Sequence, residues 1–329
     1  MFGKMMNRYY YGKSGKGDYT KDDLPETRWQ LFWEMLRVRF TALFKLNLMY
    51  AVAWLPAIFI IGRALMLALT GLNNLAQMQA QAAAGEIAAE ALTQVTAELF
   101  EAVKSLLLQT LLLLVPAIAI TGPATAGVAY VTRNWARDEH AFIWSDFIDA
   151  VKANWKQSLL ASFITGFVPL FLYVCTAFYG HMADSNMIFM LPMIICLMIG
   201  IVWLCGLMYL YPQIVTYELN FRSLVRNSLI MVVGRLPMTI GLKLLSVLPS
   251  VICALVCLFT PYALYALMIY GAYYLLIGFA LSRFVAASYS NAVFDRYINV
   301  NLEGVEVDRG LYKEEDDDFD DEEDDSVGI

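Results

Sequence analysis

Along this chain, hydrophobic runs long enough to cross a bilayer alternate with short basic or amphipathic stretches. Nearly charge-free windows fall at 46–67, 105–120, 158–179, 187–211, 238–258 and 262–283. A helix needs about 20 such residues to cross roughly 30 Å of hydrocarbon. None of these runs shows the period-two alternation of barrel strands, and in lipid only helices or a closed barrel satisfy the backbone. The pattern predicts an all-α polytopic membrane protein of about six transmembrane helices, with a six-helix membrane domain over 46–283.

The segments between and around these spans have their own patterns. Residues 1–23, rich in Gly, Lys and Tyr, read as irregular structure. A helix is expected to start near Asp22, Asp23 and Pro25. Trp29, Phe32, Trp33, Leu36, Phe40 and Phe44 then recur at spacings of three to four, beside Arg28, Arg37, Arg39 and Lys45. That combination fits a helix in the membrane interface, with rings at headgroup depth and cations on anionic lipid; packing on a neighbouring element is the alternative. The interfacial anchors expected are Trp29, Trp33, Arg37 and Arg39 here, with Trp144 and Trp155 further on. Residues 70–104 are rich in Ala, Gln and Glu, and Ile87, Ala91, Val95, Leu99 and Val103 share one helical face. With Gly85 as the turn, they predict an αα-hairpin that extends the first two spans beyond the bilayer. Residues 131–157 and 212–237 read as amphipathic loops. A weak echo relates spans two and three with the first loop to spans four and five with the second. Parallel repeats in carriers look like this, and so does shared helix grammar.

Charge sets the orientation. Nine Lys and Arg precede the first span, four lie in 131–157, three in 212–237 and four from Arg283 onward, whereas the alternate connections carry few. The positive-inside rule therefore places both termini in the cytoplasm and the hairpin outside, in the plasma membrane. The composition agrees, at 59% hydrophobic and 16% charged residues with a mean hydropathy of +0.56. The net charge of −7 is carried by residues 314–325, which hold eleven acids; without them the chain has 23 basic against 19 acidic residues, or +4. That acidic stretch is too polar to build a core, so 314–329 is expected to be disordered, either as solubilising bulk, as a dock for a basic partner or folded back on the chain's own basic N-terminal helix. Residues 284–313 form a further cytoplasmic segment. The first forty residues do not read as a cleavable signal peptide.

The residues offer little chemistry. The five cysteines all lie in hydrophobic runs, as buried small hydrophobes do, and Cys253 and Cys257 have no His or carboxylate companion. Gly12-Lys13-Ser14 resembles the end of a phosphate loop, but Asn7 stands where that motif requires Gly. His140 and His181 fall on opposite sides of the membrane. No serine elbow, zinc helix or paired-carboxylate motif occurs, so neither an enzyme nor a cofactor is expected, and no nucleic-acid partner.

Two places stand out. Proline lacks a donor and fixes φ, so Gly122-Pro123 predicts a break or a kink in span two. Thr121 would cap the following half-helix, and Thr121 and Thr125 would face an anionic ligand at its N-terminus. The alternative is a kink with close packing through Gly122, Ala126 and Gly127. Lys243 lies inside span five, where a charge marks either a functional site or a snorkelling side chain, with Glu218 a possible ion-pair partner. Asn47 and Gln109 are expected to bond between helices.

Residues 46–56 (LNLMYAVAWLP), 119–133 (AITGPATAGVAYVTR), 137–158 (RDEHAFIWSDFIDAVKANWKQS) and 293–299 (VFDRYIN) resemble the YesL-like family of small integral membrane proteins of Gram-positive bacteria. The hairpin, the long basic N-terminus and the acidic run depart from that family's usual pattern. The resemblance implies an accessory role associated with carbohydrate uptake and utilisation systems. The resulting expectation is a non-enzymatic accessory protein in the lipid bilayer, bound to a transporter or sensor through its cytoplasmic loops and hairpin. A small-solute transporter working through the broken span is the second reading. The third is the permease subunit of an ATP-driven importer, although 212–237 ends in Arg235-Leu236-Pro237 without the loop start that seats the ATPase. A polar midplane cavity reaching Thr121 and Lys243 would favour transport, and a packed apolar interior the accessory role.

Overall fold

A computed structural model describes residues 24–85 and 88–312 of the protein. The expectations for 1–23, Ile87 and the acidic run lie outside the described residues. Every regular element among those described is helical: α1 (Arg28–Val38), α2 (Phe40–Ala83), α3 (Ala89–Trp135), α4 (Ser145–Ala183), α5 (Met190–Ile214), α6 (Phe221–Gly234), α7 (Leu236–Phe259), α8 (Ala263–Tyr273) and α9 (Phe279–Tyr297). Among the described residues, six helices are long and apolar enough to span a membrane: α2, α3, α4, α5, α7 and the α8–α9 rod. The chain is a multi-pass membrane protein.

The N-terminal aromatic helix differs from the sequence expectation. It starts at Arg28, where Thr27 accepts from the Gln30 amide and Gln30 reaches back to the Thr27 N–H, a capping box. It also ends early, because Arg39 leaves helical geometry (φ −94°, ψ 10°), so Phe40 and Phe44 belong to α2. Leu31 and Met35 bury one face of α1 in the same core as Leu43, Trp135 and Phe284, and Phe32 stacks on Phe284 at 5.3 Å. The helix is therefore packed on its neighbours along one side, while Trp29 and Trp33 stay exposed on the other.

Helices α2 and α3 run far past bilayer length, at 44 and 47 residues, or roughly 65–70 Å each. Between them the chain turns at Gly85, whose φ of +77° suits a residue without Cβ. At the opposite, polar end, α3 stops at an αL cap. Asp138 takes φ +54°, and the Glu139 amide reaches back to Asn134 O at 2.8 Å.

The break expected at Gly122-Pro123 does not occur. Helix α3 continues through both Pro116 and Pro123, because a membrane helix can lose single backbone bonds where neighbours and hydroxyls compensate. The close-packing alternative describes this region instead. A Cβ on Gly122 would lie 2.2 Å from Ser158 O, and one on Gly166 2.8 Å from Val115 O, so the backbones of α3 and α4 touch at both places. This seam is the most extensive helix contact among the described residues.

The two halves of the suggested repeat are built differently. The segment at 145–157 is continuous with α4, whereas α6 is a separate helix that breaks from α7 at Arg235 (φ −129°). In the sixth span, Tyr274–Gly278 widens into a π turn. Asn47 on α2 fills the gap: its amide donates to Tyr274 O (2.9 Å) and Leu275 O (2.7 Å), and its oxygen accepts from Ala280 N (2.9 Å). Gln109, expected at a seam as well, lies exposed on α3.

Candidate functional site

Polar chemistry concentrates where α1, the end of α3, the 215–220 loop, α6 and the end of α9 meet. At its centre is Asp295 on the last turn of α9, a carboxylate only 2% exposed. Arg28 donates to it and also reaches Asp308 at 2.9 Å. Arg137, 5% exposed, lies 3.8 Å from the other carboxylate oxygen and 2.8 Å from Glu139. Asn299 donates to Asp295 at 2.5 Å, Tyr217 donates to Asn299 at 2.7 Å, and the Asp308 N–H points at Asp295. Arg309 closes the outside through Glu139 and Glu306. A buried charge is tolerable only when paired and hydrogen-bonded, and this one ties five chain segments together. With its charges already satisfied internally, the cluster is a lock rather than a reactive group.

Beside the lock lies a groove of about 830 Å³ between α6 and the end of α9. Its walls are mostly apolar (Ile230, Met231, Val293, Leu302, Val305), and Arg133, Arg235, Glu218 and Asn227 add polarity. Arg235 lies over the Tyr297 ring at 5.2 Å. The Nε of both Arg133 and Arg235 is buried with no hydrogen-bond partner among the described residues. Arg133 spends one nitrogen on Asn134 at 3.2 Å. Burial raises the Tyr217 hydroxyl above its ordinary pKa despite the opposing pull of Arg133, so it is a neutral donor. Two under-used guanidiniums above an apolar floor suit an anionic group attached to an apolar one.

The residues singled out from the sequence fall elsewhere. The Thr121 hydroxyl donates to Ile118 O within its own helix (2.7 Å), and Thr125 bonds Thr121 O and the Tyr50 hydroxyl. Both are buried. Lys243 is half-buried on α7, with Arg283 and Cys205 as its electrostatic neighbours. It forms no ion pair with Glu218 among the described residues. Neither Thr121, Thr125 nor Lys243 lines the groove. Trp144 and Trp155 are exposed, like Trp29 and Trp33, and Lys156 sits 5.6 Å above the Trp155 ring. Arg37 is exposed and Arg39 half-buried. Burial raises Asp138 above the usual carboxylate pKa, with Arg39 opposing. Glu34 is raised too, by burial first and then by Asp138.

Sequence reasoning missed Arg28, Arg133, Arg137, Asp295 and Asn299 as a group. The available signal was the single acid of α9, but its partners lie up to 267 residues away, and no local pattern links them.

Residues 43–175 match the model of a family described as Protein of unknown function, DUF624. No curated protein and no solved structure matches the chain.

Proposed function

We propose that this is a non-enzymatic accessory protein of the plasma membrane. It engages an anionic, partly apolar element of a membrane partner in the groove between α6 and α9 at its cytoplasmic face. The observation that carries this reading is the pair Arg133 and Arg235, both with unpartnered nitrogens over an apolar floor. The closed α3–α4 seam at Gly122 supports an accessory role over a solute path, since Thr121 and Thr125 spend their hydroxyls on backbone and Tyr50. The match of residues 43–175 to a family of unknown function is consistent with the YesL-like resemblance, and through it with a link to carbohydrate uptake systems.

The test is affinity purification from the native membrane with quantitative mass spectrometry. A stoichiometric transporter or sensor should copurify with the wild type and be lost from the Arg133→Gln/Arg235→Gln variant. Solute uptake by proteoliposomes containing this protein alone would overturn the reading.

A further inference from the structure

We propose that the groove is a seat for this chain's own acidic run, 314–325, with Phe319 on the apolar floor and flanking carboxylates on Arg133 and Arg235. This rests on the reading of the groove as a binding site and names what fills it when no partner does.

Three observations carry it. The first is charge. The neighbouring guanidiniums at this end, Arg28, Arg137 and Arg309, all pair with carboxylates. Arg133 and Arg235 line the groove and form no ion pair among the described residues, and both keep a buried Nε without a partner, as Arg28 and Arg39 also do. Glu218 is the one acid on the lining, so the lining carries +1. The exposed Arg226 and Arg296 stand next in sequence to the lining residues Asn227 and Tyr297 and add to that.

The second is composition: residues 314–325 hold eleven acids and a single aromatic residue, Phe319. An aromatic ring flanked by carboxylates is the complement of an apolar floor flanked by arginines.

The third is tether length. Leu302 and Val305 line the groove themselves. The chain then passes Gly310, packed so closely on the Arg137 backbone that a Cβ there would lie 3.0 Å from Arg137 O. Arg137 is one helical turn, about 6 Å, beyond Arg133. Tyr312 is pinned by donating its N–H to Pro25 O at 3.0 Å. From there, the seven residues to Phe319 reach roughly 23 Å when extended. Intramolecular tethering on this scale gives an effective concentration near millimolar, so weak contacts suffice. The run would then compete with any partner for the groove.

The test places the photo-crosslinker p-benzoylphenylalanine at position 319 of the full chain, in nanodiscs of uncharged phosphatidylcholine, and maps adducts by mass spectrometry. Adducts are expected within 216–235 and 293–305, Met231 foremost. Arg133→Gln/Arg235→Gln should lower the yield by about twofold to thirtyfold, the range expected for losing two partly exposed charge contacts. Salt at about 0.5 M should lower it as well, and Lys152→Gln should leave it unchanged. Exchanging the acids of 314–325 for Asn and Gln leaves the groove intact and should lower the yield equally, which guards against a misfolded arginine variant. Adducts on α1, adducts that need anionic lipid, no adducts, or a yield indifferent to the acids would each overturn the proposal. Partner capture that depends on Arg133 and Arg235 but is not raised by neutralising the run would sink this inference alone and leave the groove's proposed function standing.

Discussion

Replacing Asp295 by Ala removes the one carboxylate that joins α1, α3 and α9. Arg137 is left at 5% exposure with Glu139 and the Glu306 carbonyl as partners, and Asn299 and the Asp308 N–H lose their acceptor. Breaking a buried pair by deleting one partner costs about 3–5 kcal/mol. Arg28 is 22% exposed and keeps Asp308, so part of the loss relaxes into water and the lower end, about 3 kcal/mol, is expected. At roughly 1.5 °C per kcal/mol for a chain of 329 residues, the midpoint should fall by about 4–5 °C. The assay is thermal unfolding in one detergent at one scan rate, followed by intrinsic tryptophan fluorescence, because unfolding of such proteins is often irreversible. Asp149→Ala breaks an exposed i,i+3 pair with Lys152 and should shift the midpoint by no more than about 2 °C. In a double-mutant cycle, Arg137→Met should cost less in the Asp295→Ala background than alone. If Asp295→Ala shifts the midpoint no further than Asp149→Ala, the reasoning fails.

Gly122→Ala forces a Cβ to within 2.2 Å of Ser158 O, so α3 and α4 must separate at a loss of about 1–3 kcal/mol or more; Gly62→Ala, with nothing within 4 Å, is the comparison, and equal yields of folded protein would contradict the seam. Asn47→Leu leaves Tyr274 O, Leu275 O and Ala280 N without their side-chain partner and should destabilise by about 1–3 kcal/mol, read as a lowered melting midpoint with the membrane span count unchanged. Asp138 predicts a pH signature. Its folded pKa is raised above the ordinary 3.8, so its ionisation disfavours the fold, and that penalty grows as pH rises through the folded pKa and is complete at neutral pH. Asp138→Asn, which also tolerates αL geometry, should therefore raise the midpoint at neutral pH and converge on the wild type as pH falls towards 3.8. A gap that widened on acidification would contradict the sign.

What was legible in the sequence followed from local rules. Length and hydropathy alone mark six spans, because the bilayer sets a fixed distance for any helix to cover. Asn47 was readable as an interhelical bonder, since a lone amide in hydrocarbon must find partners. Pro123 shows the limit of such rules: its missing donor predicts a break in isolation, but α3 stays helical through it, packed through Gly122 against α4. Arg39 shows the converse, a one-residue joint inside an unbroken aromatic periodicity that no local pattern announced.

By itself, the sequence determined the solvent of each segment, the helical class, the number of spans and the concentration of positive charge at alternate connections, because these are sums over neighbouring residues. Only the tertiary structure decided that Asp295 meets Arg28 and Arg137, that α3 and α4 touch backbone to backbone, and that Arg133 and Arg235 share one apolar groove. Those outcomes depend on pairings between residues tens to hundreds of positions apart, and such pairings are chosen by how whole helices pack.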